Sequence, residues 1–228
     1  MKCVILAGGK GTRMSELTKK VPKPMISILG KPILHHIMSH YSKYGFKEFI
    51  IAAGYKKKII IDYFKKKKFS DWKIKVVDTG LNTMTGGRLK RLKKYLKKET
   101  FMMTYGDGLS DVNLKKLLKF HMKNKKISTL TSVRPPARFG AIKINNNKVT
   151  YFKEKSKLDE GWINGGFFVF EPSIFKFIKG DKTFLERDPL QKISEKKELF
   201  AYKHHGYWQC MDTPRDKILI EKKFRKII

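Results

Sequence analysis

The stretch Cys3–Arg13, CVILAGGKGTR, decides how the rest of the chain is read. From Cys3 to Ala7 it is an apolar run, and a short run of this kind stopped by glycine has the character of a strand buried on both faces in a parallel sheet. Gly8, Gly9 and Gly11 let the backbone turn sharply and bring bare N–H groups close to something bulky. Arg13 adds a fixed cation. Donors and a cation in a loop at a strand's end describe a phosphate site. GGKGTR lacks the third glycine of a dinucleotide fingerprint, and no G-x-x-x-x-G-K-[ST] motif occurs, so the loop alone does not say which phosphate.

Working outward, strand and helix patterns alternate. FIIAA (Phe49–Ala53), IKVVD (Ile74–Asp78), FMMTY (Phe101–Tyr105) and Ser128–Val133 read as further strands. Helices are expected at Ile33–Tyr44, Lys57–Lys65, Gly86–Lys97 and Asn113–Lys123, the first with Pro32 suited to its first turn. Such alternation predicts an α/β fold with a mostly parallel sheet covered by helices on both faces, and ligands at the carboxyl ends of the strands. After RPPARFG the pattern changes. Ala141–Ile144, Lys148–Lys153 and Trp162–Phe170 read as strands, with NNN as a turn between the first two. A final strand is expected near Phe200–Lys203 and a last helix from about Pro214.

The 228 residues suit one such domain with a proper core. No run of 18 apolar residues predicts a membrane span, and the N-terminal apolar stretch is too short for a signal peptide. Two cysteines, Cys3 and Cys210, are too few for a disulfide framework or a metal cluster. The expected compartment is the cytoplasm. The formal charge of +32 comes from 44 lysines and only 8 arginines. Readers of nucleic acid favour arginine and interleaved aromatics, whereas these lysines fall on the polar faces of expected helices. The charge therefore predicts attraction to polyanions without specificity; no membrane partner is expected, because no run of 18 apolar residues occurs.

Two elements give the loop a chemistry. Lys23 stands between two prolines in PKP, which fix the backbone on either side and make the lysine a rigid point charge. In TYGDG (Thr104–Gly108), Asp107 ends an expected strand between two glycines. A hard carboxylate at the ligand edge suits Mg²⁺ carrying a nucleotide phosphate. A second carboxylate is available as Asp212 in WQCMDTPRDK, where Asp-Thr-Pro also reads as a helix start with Asp or Thr as cap. MTGGRLKR (84–91) is a glycine loop opening a basic helix whose N–H groups suit a base edge or ribose. His36 and His40 lie one helical turn apart, but no third ligand accompanies them.

LAGGKGTRM followed by PKPM resembles the sugar-1-phosphate nucleotidylyltransferase family. VDTG…MTGGRLKR, TYGDG, RFGA, NGGFFVF and WQ-x-MDT-x-RDK resemble its cytidylyltransferase branch, over nearly the whole chain. The resemblance implies a Rossmann-like nucleotide-diphospho-sugar transferase fold in one unit, with a nucleotide-binding half (1–133) and a sugar-phosphate-binding half (134–228). It implies CTP and glucose 1-phosphate as substrates, Mg²⁺ as cofactor and a homo-oligomer. By the same resemblance Arg13 and Lys23 are catalytic, and Leu6, Ala7, Gly8, Gly9, Gly11, Thr12, Thr83, Arg88 and Gly106 bind nucleotide. Arg138, Gly140, Glu154, Lys155, Asn164 and Gly165 bind the sugar phosphate, and Asp107 and Asp212 hold the metal. One departure is the segment between Phe64 and Val77, which is shorter than the family usually carries. The rival readings are the same chemistry with UTP or dTTP on another sugar phosphate, and a non-catalytic polyanion binder.

Overall fold

The structure, a computed structural model, describes residues 1–67, 69–135, 141–153 and 161–224. Arg138, Gly140, Glu154 and Lys155 lie outside the described residues. The opening run forms β1 (Lys2–Ala7). The glycine loop leads into a short α1 (Ser15–Thr18) and a small ribbon of β2 (Ser27–Ile28) and β3 (Lys31–Pro32). Then α2 (Ile33–Lys43), β4 (Glu48–Ala53), α3 (Lys57–Lys66) and β5 (Lys73–Asp78) follow in the expected alternation.

The helix expected over 86–97 is two pieces, α4 (Thr85–Arg91) and α5 (Lys93–Leu96). The break at Leu92 leaves Leu89, Leu92 and Leu96 all buried against the sheet, so burial of one apolar stripe outweighs helix continuity. The chain continues through β6 (Phe101–Tyr105), a short β7 (Gly108–Ser110), α6 (Leu114–Asn124) and β8 (Ser128–Val133). A hairpin of β9 (Ala141–Asn145) and β10 (Lys148–Lys153) is followed by β11 (Ile163–Phe170), α7 (Asp188–Glu195) and β12 (Leu199–His204). The last elements are β13 (Trp208–Cys210) and α8 (Pro214–Phe224). β13, not the expected strand near Phe200, is therefore the final strand; three residues with a single buried position carry no readable pattern.

Seven strands make one sheet in the order β12-β8-β11-β6-β1-β4-β5. All neighbours are parallel except β11, which runs antiparallel to both β6 and β8. Strands from before and after residue 133 thus share a single sheet. Side chains alternate between two cores. Cys3, Ile5, Ala7, Phe49, Ile51 and Ala53 face α2. Val4, Leu6, Ile50 and Ala52 face α4, α5 and α7. Burial on both faces is what makes β1 and β4 uninterrupted apolar runs, and each large side chain so buried contributes about 1.5–3 kcal/mol. No helix among the described residues is long and apolar enough to cross a membrane.

The strand order places a site. From β1 the chain moves outward through β4 to β5, then jumps back to β6 on the other side of β1. Such a reversal opens a crevice at the carboxyl ends of the two central strands, where the connecting loops diverge. Gly8 leaves one side of that crevice and Gly106 the other, stitched by Gly106 N–H to the Leu6 carbonyl at 3.0 Å.

Candidate active site

A cleft of about 320 Å³ opens at this crevice. Leu6, Ala7, Gly8, Gly9, Gly11 and Thr12 come to it from β1 and its loop, and Thr83 and Arg88 from the start of α4. Arg13, Lys23, Gly106 and Asp107 line it too, and Asp212 stands just outside the lining, bonded to Arg13 and Lys23. The fold thus brings together every residue expected to bind nucleotide.

Lys23 is the centre of the charge arrangement. Its Nζ donates to Asp107 Oδ2 at 2.6 Å and to Asp212 Oδ1 at 2.8 Å. Arg13 Nη1 donates to the other oxygen of Asp212 at 2.9 Å. The Lys23 side chain is only 11% exposed, while that of Arg13, at the mouth, is 74% exposed. Burial works to lower the pKa of the Lys23 ammonium, but Asp107 and Asp212 outweigh it and raise the pKa above the ordinary lysine value. Burial likewise works to raise the Asp212 pKa, and Lys23 and Arg13 reverse this, leaving it below the usual carboxylate range.

Asp107 and Asp212 are far apart in sequence, and a short ribbon joins them. β7 pairs antiparallel with β13, matching Gly108 with Cys210 and Ser110 with Trp208, and Met211 N–H donates to the Asp107 carbonyl at 2.9 Å. Asp212 then leaves the ribbon as α8 begins. The sequence allowed Asp or Thr to cap that helix, and Thr213 does so: its hydroxyl accepts from Asp216 N–H at 3.2 Å. Asp216 Oδ2 in turn accepts from the N–H of Asp212 and of Thr213, a reciprocal capping arrangement. The Asp212 carboxylate is left for the cations. Cys210 lies beside it with its thiol pushed up to about 12 by burial and by Asp212, so it stays protonated.

Arg88 stands in the cleft wall with its guanidinium turned to the backbone. It donates to the carbonyls of Gly8 at 2.9 Å and Gly80 at 2.7 Å, and to the Thr79 hydroxyl at 2.8 Å. A Cβ on Gly8 would lie 2.1 Å from this guanidinium, so the first glycine of the loop is needed for the brace beneath it. Met84 N–H and Gly87 N–H, in the glycine loop read as facing a base or ribose, are bonded to the carbonyls of Asp181 and Thr183. A Cβ on Gly87 would sit 2.4 Å from the Asp181 oxygen. The glycines there admit a strap, residues 179–187, across the end of α4.

Asn164 and Gly165, expected at the sugar, lie on β11 outside the cleft's immediate lining. They adjoin it through Tyr105, whose ring packs on the neighbouring Gly166, and Trp208 Nε1 donates to the Gly165 carbonyl at 2.7 Å. His36 and His40 are structural, bonded through Nε2 to the carbonyls of Ile28 and Val112. Sequence reasoning missed Thr85, Tyr105 and Phe184 in the cleft lining. Tyr105 sits two residues before Asp107, and that proximity was the available signal; Phe184 is brought in by the strap and carried none.

Residues 2–218 match the family described as Nucleotidyl transferase. A glucose-1-phosphate cytidylyltransferase of Salmonella typhimurium is 46% identical, over 99% of this chain and 96% of its own length. Its alignment spans 248 positions against 228 residues here, so at least 20 have no counterpart in this chain. A probable glucose-1-phosphate cytidylyltransferase of Bacillus subtilis is 38% identical, over 99% of this chain and 97% of its own. The crystal structure of HddC from Yersinia pseudotuberculosis superposes with a TM-score of 0.77 at 28% identity, covering 98% of this chain and 99% of that one. Sequence, fold and strand-end cleft agree, and the chain belongs to the nucleotidyl transferase family.

Proposed function

We propose that this protein transfers a cytidylyl group from CTP to α-D-glucose 1-phosphate, forming CDP-glucose and releasing pyrophosphate. The meeting of Asp107, Asp212 and Lys23 at one point supports the reaction type. The two relatives named for that reaction, at 46% and 38% identity over almost the whole chain, support the choice of substrates. A phosphate oxygen of glucose 1-phosphate forms a bond to the α-phosphorus of CTP. The bond from that phosphorus to the oxygen bridging the β-phosphate breaks, and its electron pair leaves with pyrophosphate. The attacking phosphate is already an anion at neutral pH, so no general base is required. The barrier is repulsion between anions, and catalysis consists of positioning and charge neutralisation.

The chain's residues divide that work. The Gly8–Gly11 loop, held from below by Arg88, receives the nucleotide. Lys23 remains an ammonium and meets the charge on the α-phosphate. Arg13, exposed at the mouth, steadies the departing pyrophosphate. Asp107 and Asp212 fit a divalent cation: both already converge on one ammonium within 2.8 Å, and their oxygens are the hard donors magnesium takes. Magnesium held there would neutralise phosphate charge and draw both substrates to one centre. In this reading residues 1–133 handle the nucleotide and 134–228 the sugar phosphate, in the cytoplasm.

The test is pyrophosphate release with glucose 1-phosphate and magnesium, compared across CTP, UTP, dTTP, GTP and ATP. CTP is expected to give the highest kcat/KM. A preference for UTP or dTTP would move the assignment to another member of the family, and no release with any of them would remove it.

A further inference from the structure

Glu186 has an arrangement that nothing above uses. Its Oε1 accepts from the Tyr105 hydroxyl at 2.6 Å and its Oε2 from the Thr85 hydroxyl at 2.6 Å. Thr85 Oγ1 also accepts from Leu185 N–H at 2.9 Å, which commits the threonine's own proton to Glu186. Burial, and next the charge of Glu186, raise the Tyr105 pKa, so the phenol stays a donor. The carboxylate is therefore fixed at both oxygens by neutral groups, yet Glu186 is exposed. In a chain with 52 lysines and arginines, no ion pair among the described residues involves it. Each oxygen keeps a lone pair for a further donor.

The neighbours say where those lone pairs are useful. Tyr105 and Thr85 both line the cleft, as does Phe184, two residues before Glu186 on the strap. The Tyr105 ring packs on Gly166 of β11, where a Cβ would come within 2.6 Å of the ring. Glu186 itself is outside the immediate lining and stands directly behind Tyr105 and Thr85, the two lining residues it bonds. A carboxylate repels phosphate, so it cannot serve the triphosphate or the phosphate of the acceptor. The ligand group that suits it is neutral and rich in donors, and a carboxylate with two free acceptor positions matches neighbouring hydroxyls of a sugar ring.

Resting on the reaction proposed above, we propose that Glu186, oriented by Tyr105 and Thr85, accepts hydrogen bonds from hydroxyl groups of the hexose and sets which sugar 1-phosphate is used. Losing a contact of this type weakens the sugar phosphate and leaves the nucleotide alone. A site built to bond a hydroxyl also rejects an analogue that lacks it, because the acceptor is then left unpaired.

The experiment compares wild type with Glu186→Gln and Glu186→Ala, using glucose 1-phosphate and its 2-, 3-, 4- and 6-deoxy analogues. KM for glucose 1-phosphate is expected to rise about tenfold in both variants while KM for CTP is unchanged. Wild type is expected to discriminate against one or two adjacent deoxy positions, and the variants to lose that discrimination. Tyr105→Phe, which keeps the carboxylate and removes one of its anchors, is expected to give a smaller change in the same direction. Equal rises in both KM values, or unaltered discrimination in both variants, would overturn the proposal. Direct calorimetric titration of the sugar phosphates separates this outcome from failure of the CTP assignment. A Glu186 effect on sugar affinity persists there whichever nucleotide is the donor, and its absence overturns the proposal. Circular dichroism of each variant identifies misfolding, and Tyr105→Phe carries the test if Glu186→Ala does not fold.

Discussion

Lys23 carries two opposite charges within 2.8 Å on a side chain that is almost enclosed. Neither a surface lysine in a turn nor a simple structural ion pair needs two carboxylates brought from separate parts of the chain. Lys23→Ala is expected to lower kcat about a hundredfold, roughly 3 kcal/mol, with a far smaller change in KM for CTP, because the contact matters most as charge moves in the transition state. Steady-state kinetics at saturating magnesium reads the split; equal effects on kcat and KM would make Lys23 a binding group only. Asp212 gives a pH dependence with a definite sign. Its folded pKa is depressed, so the stability it contributes is complete above its unfolded value, near 4, and is lost as pH falls through the folded value. Urea unfolding at pH 7 and pH 3 is expected to show a smaller acid-induced loss for Asp212→Asn than for wild type.

Among the elements, the strap over α4 depends on the absence of side chains at its contact. Gly87→Ala would put a Cβ 2.4 Å from the Asp181 carbonyl oxygen, against backbone that has no rotamer to yield. The expected cost is about 1–3 kcal/mol, read as a lower midpoint in thermal or urea unfolding; an unchanged midpoint would mean the strap lifts freely. β1, β4 and β6 were legible because burial on both faces leaves them almost wholly apolar. β7 and β13 were not, since three residues such as Trp208, Gln209 and Cys210 carry no period. That ribbon is what unites Asp107 with Asp212, so sequence could name both carboxylates but not the reason they meet. The direction of β11 was also hidden, because an apolar run reads the same whichever way the strand points. Thr85 and Tyr105 lie inside MTGGRLKR and TYGDG, but neither motif marks them as partners of Glu186, which belongs to no motif and reaches them only because the strap crosses α4.

For the whole molecule, the charge of +32 is spread over a surface dominated by lysine. Duplex DNA is expected to bind weakly, without sequence preference, and to be released between low and near-physiological salt, since the binding energy would be counterion release alone. Fluorescence titrations of two unrelated duplexes at both salt concentrations check this, and selective binding that survives the higher salt would restore a nucleic-acid role. The short connection from α3 to β5 is closed by Phe69 stacked on Trp72, with centroids 4.8 Å apart. The chain therefore finishes that edge of the sheet with its own aromatic residues, where the sequence is shorter than the family pattern.

The central claim is that one phosphorus–oxygen bond is exchanged for another between CTP and a sugar phosphate in the cleft above β1 and β6. Phosphorus NMR of the protein with CTP, glucose 1-phosphate and magnesium observes that exchange directly. The account predicts that the signals of the CTP α-phosphorus and of glucose 1-phosphate give way together to the coupled pair of a diphosphate diester. Pyrophosphate should appear in equal amount, and the Asp107→Asn protein should show no such change. Consumption of CTP to CMP or CDP with glucose 1-phosphate untouched, or no change with folded wild-type protein, would contradict it.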